Sequence, residues 1–192
     1  PLPRPVTGGS LDELRPFLNA GDDSHWTLLM AWLTSPFMRT GTKPILMLQG
    51  IQGSAKTTTT AILKKVLDPG SSIARSLPGN ARELSIATSR AGIPAYDNLS
   101  GMSAELSDTL CQIASGVDQS FRKHYSNGDE FIINAHRSVI LNGIDQIGQR
   151  NDLRDRGINI TLEVIANSRR TEAEIYAGFD DAHPRILGTL LD

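Results

Sequence analysis

The apolar positions along the chain follow two rhythms. In SHWTLLMAWLTSPFM, Trp26, Leu29, Trp32 and Leu33 recur at helical spacing and predict a helix with those residues in the core. PILMLQ (44–49) shows no polar alternation, as in a short strand buried on both faces. RSVILNG (137–143) and INITLEV (158–164) read the same way, and GIPAYDN (92–98) is a further short apolar run in which Pro94 is awkward for a central strand. SSIARSL (71–77) is a candidate second strand.

Between these runs the pattern turns helical. A helix is predicted from Lys56 to Leu67, stopped by Asp68-Pro69-Gly70, and others over NARELSIATS (80–89) and MSAELSDTLCQIAS (102–115). Ser10-Leu11-Asp12-Glu13 and Thr171-Glu172-Ala173-Glu174 are capping boxes that start helices, the first disturbed at Pro16. His183-Pro184 predicts a break before a final helix. SFRKHY and EFIINA flank Asn127-Gly128, the turn signal of a hairpin. Strands alternating with helices predict an α/β domain with a mainly parallel sheet sandwiched by helices, plus that hairpin.

Composition narrows the picture. The 192 residues suit one sizeable domain, and no apolar run approaches the roughly 20 residues of a membrane helix. PLPRPVTGG reads as a linker rather than a leader, and ILGTLLD stops inside an apolar helical pattern, as in a piece of a longer protein. The lone Cys111 rules out an internal disulfide and predicts a reducing, cytoplasmic setting, with Cys111 as a small buried hydrophobe. A net charge of −2 requires any nucleic-acid contact to come from a local basic feature.

Candidate chemistry centres on GIQGSAKTT (50–58), between a buried strand and a helix. A phosphate cradle needs convergent backbone amides, a loop that tolerates unusual dihedrals, and a cation. Gly50, Ile51, Gln52, Gly53, Ser54 and Ala55 supply the loop, Lys56 the charge for β- and γ-phosphates, and Thr57, followed by Thr58, a hydroxyl for Mg²⁺. Ala55 stands where the motif normally has its second glycine. A negative φ, as at a helix start, would make it inexpensive. Hydrolysis also needs a carboxylate on a neighbouring strand, and Asp97 closes the apolar run IPAY. The alternative is that Asp97-Asn98 only opens a turn. Asn98 can orient a water but cannot take its proton.

The order of residues 50–57, Asp97-Asn98, GVDQSFRKHYSNGDEF, a strand ending in Asn142 and a later arginine resembles the ATPase core of superfamily 3 helicases. These are AAA+-related ring motors of viruses, phages and plasmids. The resemblance spans about residues 44–162. LQGIQGSAKTT, YDNLSG and PRILGTLLD are also similar to ATP-binding proteins of phages and integrated bacterial elements.

The resemblance implies a P-loop ATPase core over 44–166. Residues 1–43 would be a linker and helices packing on it, and 167–192 a short helical lid. Asp97 and Thr57 would hold Mg²⁺, and Asn142 would be a polar sensor of the γ-phosphate or the lytic water. Read alone, Asn142 only opens an Asn-Gly turn. Arg156, or failing it Arg154, would reach the ATP of a neighbouring subunit in a homo-oligomer, a hexamer. Arg122, Lys123 and His124 on the hairpin would contact single-stranded DNA. The activity implied is an ATP-hydrolysing replicative helicase of a phage or mobile element. A slowly hydrolysing switch (loader, initiator or defence protein) is the alternative, and a monomeric small-molecule kinase a third reading.

Overall fold

The computed structural model describes residues 1–70, 73–122, 130–144, 147, 150–165 and 170–192. Four strands form one wholly parallel sheet: β1 (Ile45–Gln49), β2 (Ala95–Leu99), β5 (Ile140–Gly143) and β6 (Gly157–Thr161), in the order β2-β5-β1-β6. β3 (Gln119–Arg122) and β4 (Glu130–Ile133) pair antiparallel as a separate hairpin. The helices are α1 (Asp23–Thr34), α2 (Lys56–Leu67), α3 (Ala81–Ser89), α4 (Ala104–Ser115), the short α5 (Asn151–Arg154) and α6 (Glu172–Leu191).

The unbroken apolar run of β1 serves two cores. Successive side chains point to opposite faces of a strand. Leu46 and Leu48 meet Leu29 and Leu33 of α1, Ile62 and Val66 of α2, and Phe179 and Ile186 of α6. Ile45 and Met47 meet Leu84 of α3, Leu110 and Ile113 of α4, and Leu153 of α5. A fully buried Leu or Ile contributes about 1.5–3 kcal/mol relative to exposure, so neither layer is dispensable. Trp32 is wholly buried and donates its indole N–H to the Pro44 carbonyl at 3.0 Å, fixing α1 to the start of β1.

Three expectations change. Residues 73–77 contribute one bridge, Arg75 to Tyr96, rather than a strand; Pro78 ends the extended run and Ser71 and Ser72 lie outside the described residues. Pro94 precedes β2 instead of interrupting it: the ladder with β5 begins at Ala95, so the missing N–H falls before its first pair, while the Pro94 carbonyl accepts from Ile140 at 2.9 Å. His183-Pro184 does not divide α6. Burial of Phe179, Ala182, His183, Ile186 and Leu187 along one stripe holds the helix through the proline.

The first residues join this layer. A 3₁₀ segment, Leu11–Phe17, starts at the Ser10 capping box and packs on α6. The Val6 amide donates to the Pro184 carbonyl at 2.9 Å, and a side chain at Gly188 would meet the Val6 carbonyl oxygen at 2.0 Å. Chain start and last helix therefore form one packed unit beside α2.

Candidate nucleotide site

The carboxyl ends of parallel strands are where open α/β sheets bind ligands. Here β1 ends in the loop 50–55. Gly50 has φ +156°, and a Cβ there would lie 2.6 Å from both the Leu162 carbonyl oxygen and Ser54 Oγ. Only glycine fits. The Ser54 hydroxyl, fully buried, donates to the Ile51 carbonyl at 2.9 Å and closes the turn. Gly53 has φ +89°, and Ala55 has φ +58°. The negative φ expected at Ala55 is thus not adopted: the turn into α2 needs a left-handed residue, and alanine takes it at a cost of about 1–2 kcal/mol.

α2 has no side-chain cap, since Ala55 offers no acceptor, and no acid in its first turn. Its first amides and the positive end of its dipole face the loop, an arrangement that suits an anion. Lys56 Nζ donates to the carbonyls of Gly50 at 2.6 Å and Ile51 at 3.0 Å. The ammonium sits over the loop and can exchange those carbonyls for phosphate oxygens.

Asp97 reaches the same place from β2. Between the pairs Tyr96–Leu141 and Leu99–Gly143, β2 spends one more residue than β5, a bulge that carries Asp97 and Asn98. A side chain at Gly143 would meet the Leu99 carbonyl oxygen at 2.3 Å, so the bulge requires that glycine. Thr57 Oγ1 donates to Asp97 Oδ2 at 3.3 Å, and Asp97 Oδ1 accepts the Asn98 amide at 2.6 Å. Asn98 is exposed at φ +59°, a region where Asn is at home. Asn142, on the strand between β1 and β2, is fully buried. Its Oδ1 accepts the Asn98 amide at 3.2 Å and its Nδ2 donates to Thr60 Oγ1 at 3.0 Å. The structure thus brings Lys56, Thr57, Asp97, Asn98 and Asn142 together.

Two further features had no sequence signal. Asn19, before α1, donates through one amide nitrogen to the Ser54 carbonyl at 3.0 Å and the Glu163 carbonyl at 2.7 Å. It staples the loop to the chain leaving β6. Beside the loop lies a cavity of about 480 Å³ lined by Phe17, Gly53, Ala55, Thr58, Ile165 and Ile175.

A family model, actinomycete integrative conjugative element replication protein, matches residues 11–192. The chain belongs to that family. No curated protein matches it. The fold is similar to the apo A-form NrS-1 C-terminal region, with a TM-score of 0.63 at 16% identity over 97% of this chain and 46% of that one. It is also similar to JCV helicase bound to a phenoxyphenyl-acetamide compound, with a TM-score of 0.55 at 16% identity over 94% of this chain and 51% of the other. The chain spans about half the length of these structures, and at such identity the likeness is one of fold. This member of a replication-protein family therefore shares its α/β fold with the NrS-1 region and JCV helicase. No helix among its described residues is long and apolar enough to cross a membrane.

The remaining candidates lie away from the loop. Arg156 stands just before β6, whose first residue pairs with Ile45 while its last pairs with Gln49. It is therefore at the opposite end of the sheet from the loop, beyond about 13 Å of strand. Its guanidinium is half-buried and donates to Ser115 Oγ at 3.3 Å and the Asp152 carbonyl at 2.9 Å. Arg154, two residues earlier, is exposed. On the hairpin, Gln119 and Ile133 face inward and Ile132 outward. Gln119 donates to the Thr109 carbonyl at 3.3 Å and accepts from Ser85, docking the hairpin base on α3 and α4. Arg122 pairs in register with Glu130, whereas Lys123, His124 and the Asn127-Gly128 turn lie outside the described residues.

Proposed function

We propose that the chain is an ATP-hydrolysing, ring-forming motor domain acting on DNA during replication of a mobile element. The observation that carries the reading is the 3.3 Å hydrogen bond from Thr57 to Asp97 beside Lys56, at the uncapped end of α2. A hydroxyl and a carboxylate meet there across two elements, where phosphates would sit on the loop amides.

In this reading Lys56 leaves its loop carbonyls for the β- and γ-phosphate oxygens. Thr57 and Asp97 are hard oxygen donors fit for Mg²⁺, which would supply charge neutralisation at the phosphates. Asn98 orients the attacking water by hydrogen bonding. The nucleoside occupies the cavity against Phe17, Ile165 and Ile175. Arg156 cannot reach the phosphates of its own chain, so a charge-stabilising role requires the neighbouring subunit and release from Ser115 and Asp152. Arg154 is the exposed alternative in the same place. Arg122, Lys123 and His124 take the DNA backbone from a hairpin whose base is fixed to α3 and α4. JCV helicase, similar in fold, is a helicase by name.

A second reading, a slowly hydrolysing switch, is favoured by Asn98: an amide where a carboxylate would accept the water's proton. Steady-state ATP turnover with and without single-stranded DNA, at two salt concentrations, separates the two. The motor reading expects DNA to raise turnover, less so at high salt because the contacts are to phosphates. It also expects Lys123→Ala/His124→Ala to abolish the stimulation while basal turnover persists. Slow turnover that ignores DNA would sink the motor and leave the switch.

A further inference from the structure

The hydrogen bonds around Asp97 form a closed circuit. Thr57 donates to Asp97, Asp97 and Asn142 both accept the Asn98 amide, and Asn142 donates to Thr60. Thr57 and Thr60 are three residues apart on α2 and share a face, so the circuit begins and ends on the helix that follows the phosphate loop. Both polar groups of the Asn142 side chain are used inside it, and Asn142 and Thr60 are each fully buried. Its exposed members are Thr57 and Asn98, the latter held at φ +59° within the bulge.

We infer that Asn142 is a positioning residue that acts through Asn98 and does not itself touch the nucleotide. Its carboxamide fixes the Asn98 amide against α2, and the left-handed turn so held sets the direction in which the Asn98 side chain leaves the bulge. A shift of α2 at its first turn is passed through Thr60 and Asn142 to Asn98. This rests on the proposed ATP site and departs from a polar sensor on the γ-phosphate, because reaching a phosphate would cost Asn142 two buried hydrogen bonds.

The test uses the whole chain and the variants Asn142→Ala, Thr60→Val, Thr60→Ser and the double Asn142→Ala/Thr60→Val. It reads ATP turnover, affinities for ADP and a non-hydrolysable ATP analogue, melting temperature, and hydrogen exchange of the Asn98 amide. Asn142→Ala should lower turnover about tenfold or more, leave the ratio of analogue to ADP affinity within about twofold, and speed Asn98 exchange. Thr60→Val should lose turnover in the same direction, the double variant should be no worse than Asn142→Ala, and Thr60→Ser, which keeps the hydroxyl, should remain near wild type. Loss of analogue affinity alone in Asn142→Ala would reveal a direct γ-phosphate contact and overturn the inference. So would unchanged Asn98 exchange, or a Thr60→Val protein with wild-type turnover. If Asn142→Ala fails to fold, the two Thr60 variants decide. A wild-type protein that neither binds nor hydrolyses ATP would defeat the underlying site, a result distinct from any of these.

Discussion

At the scale of single residues, Ala55 is the clearest departure from sequence expectation. The motif gave its place and the helix start, yet not the sign of its φ, because backbone handedness at a loop exit is set by where the loop must close. Asn19 and Thr60 show the same limit. One is an isolated Asn, the other sits in a run of four threonines, and only the fold brings each to its partner. The left-handed penalty at Ala55, about 1–2 kcal/mol, exceeds the 0.4–1 kcal/mol by which glycine loosens the unfolded chain. Ala55→Gly is therefore expected to stabilise by roughly 0.5–1 kcal/mol, a rise in melting temperature of about 1–4 °C. Calorimetric melting checks this, and a lower melting temperature would mean that the methyl group packs usefully in the loop.

At the scale of elements, β1, α2, α4 and the capped starts of the 3₁₀ segment and α6 were legible because apolar periodicity and capping boxes act locally. α6 was misread at Pro184 because the stripe that holds it together is made by tertiary packing. His183, in that stripe, is 5% exposed, stacks on Phe179 at 4.8 Å, and meets the Val66 carbonyl at 2.9 Å through Nε2, which must carry the proton because a carbonyl only accepts. Burial lowers its pKa below the ordinary 6.5 against the opposing pull of Val66 and Asp180. The unfolded chain then binds more protons than the native state in this range, so stability falls as pH drops through about 6.5 towards the lowered native value. Glu13, held down first by Arg185, and Glu174, held down first by the Thr171 amide, lose their contributions only below about 4.5. Between pH 7 and 5 the melting temperature should decline in wild type and flatten in His183→Gln, which keeps a donor for Val66. An equal slope in both proteins would assign the decline elsewhere.

At the scale of the whole molecule, the parallel sheet sorts the candidate residues by end. Lys56, Thr57, Asp97 and Asn98 gather at the carboxyl ends of β1 and β2, and Asn142 beneath them. Arg156 sits at the amino end of β6, tied to Ser115 and Asp152. The order of motifs along the chain foretold the first gathering, since strand–loop–helix units bring loops to one edge. It did not foretell the hydrogen bonds that occupy Arg156, which come from α4 and α5. The account stands on the first gathering being an ATP site. Calorimetric titration of Mg²⁺-ATP into wild type and Lys56→Ala tests that most directly. Wild type should bind, and Lys56→Ala should lose most of the affinity with its melting temperature nearly unchanged; equal affinity in a folded Lys56→Ala protein would contradict the assignment.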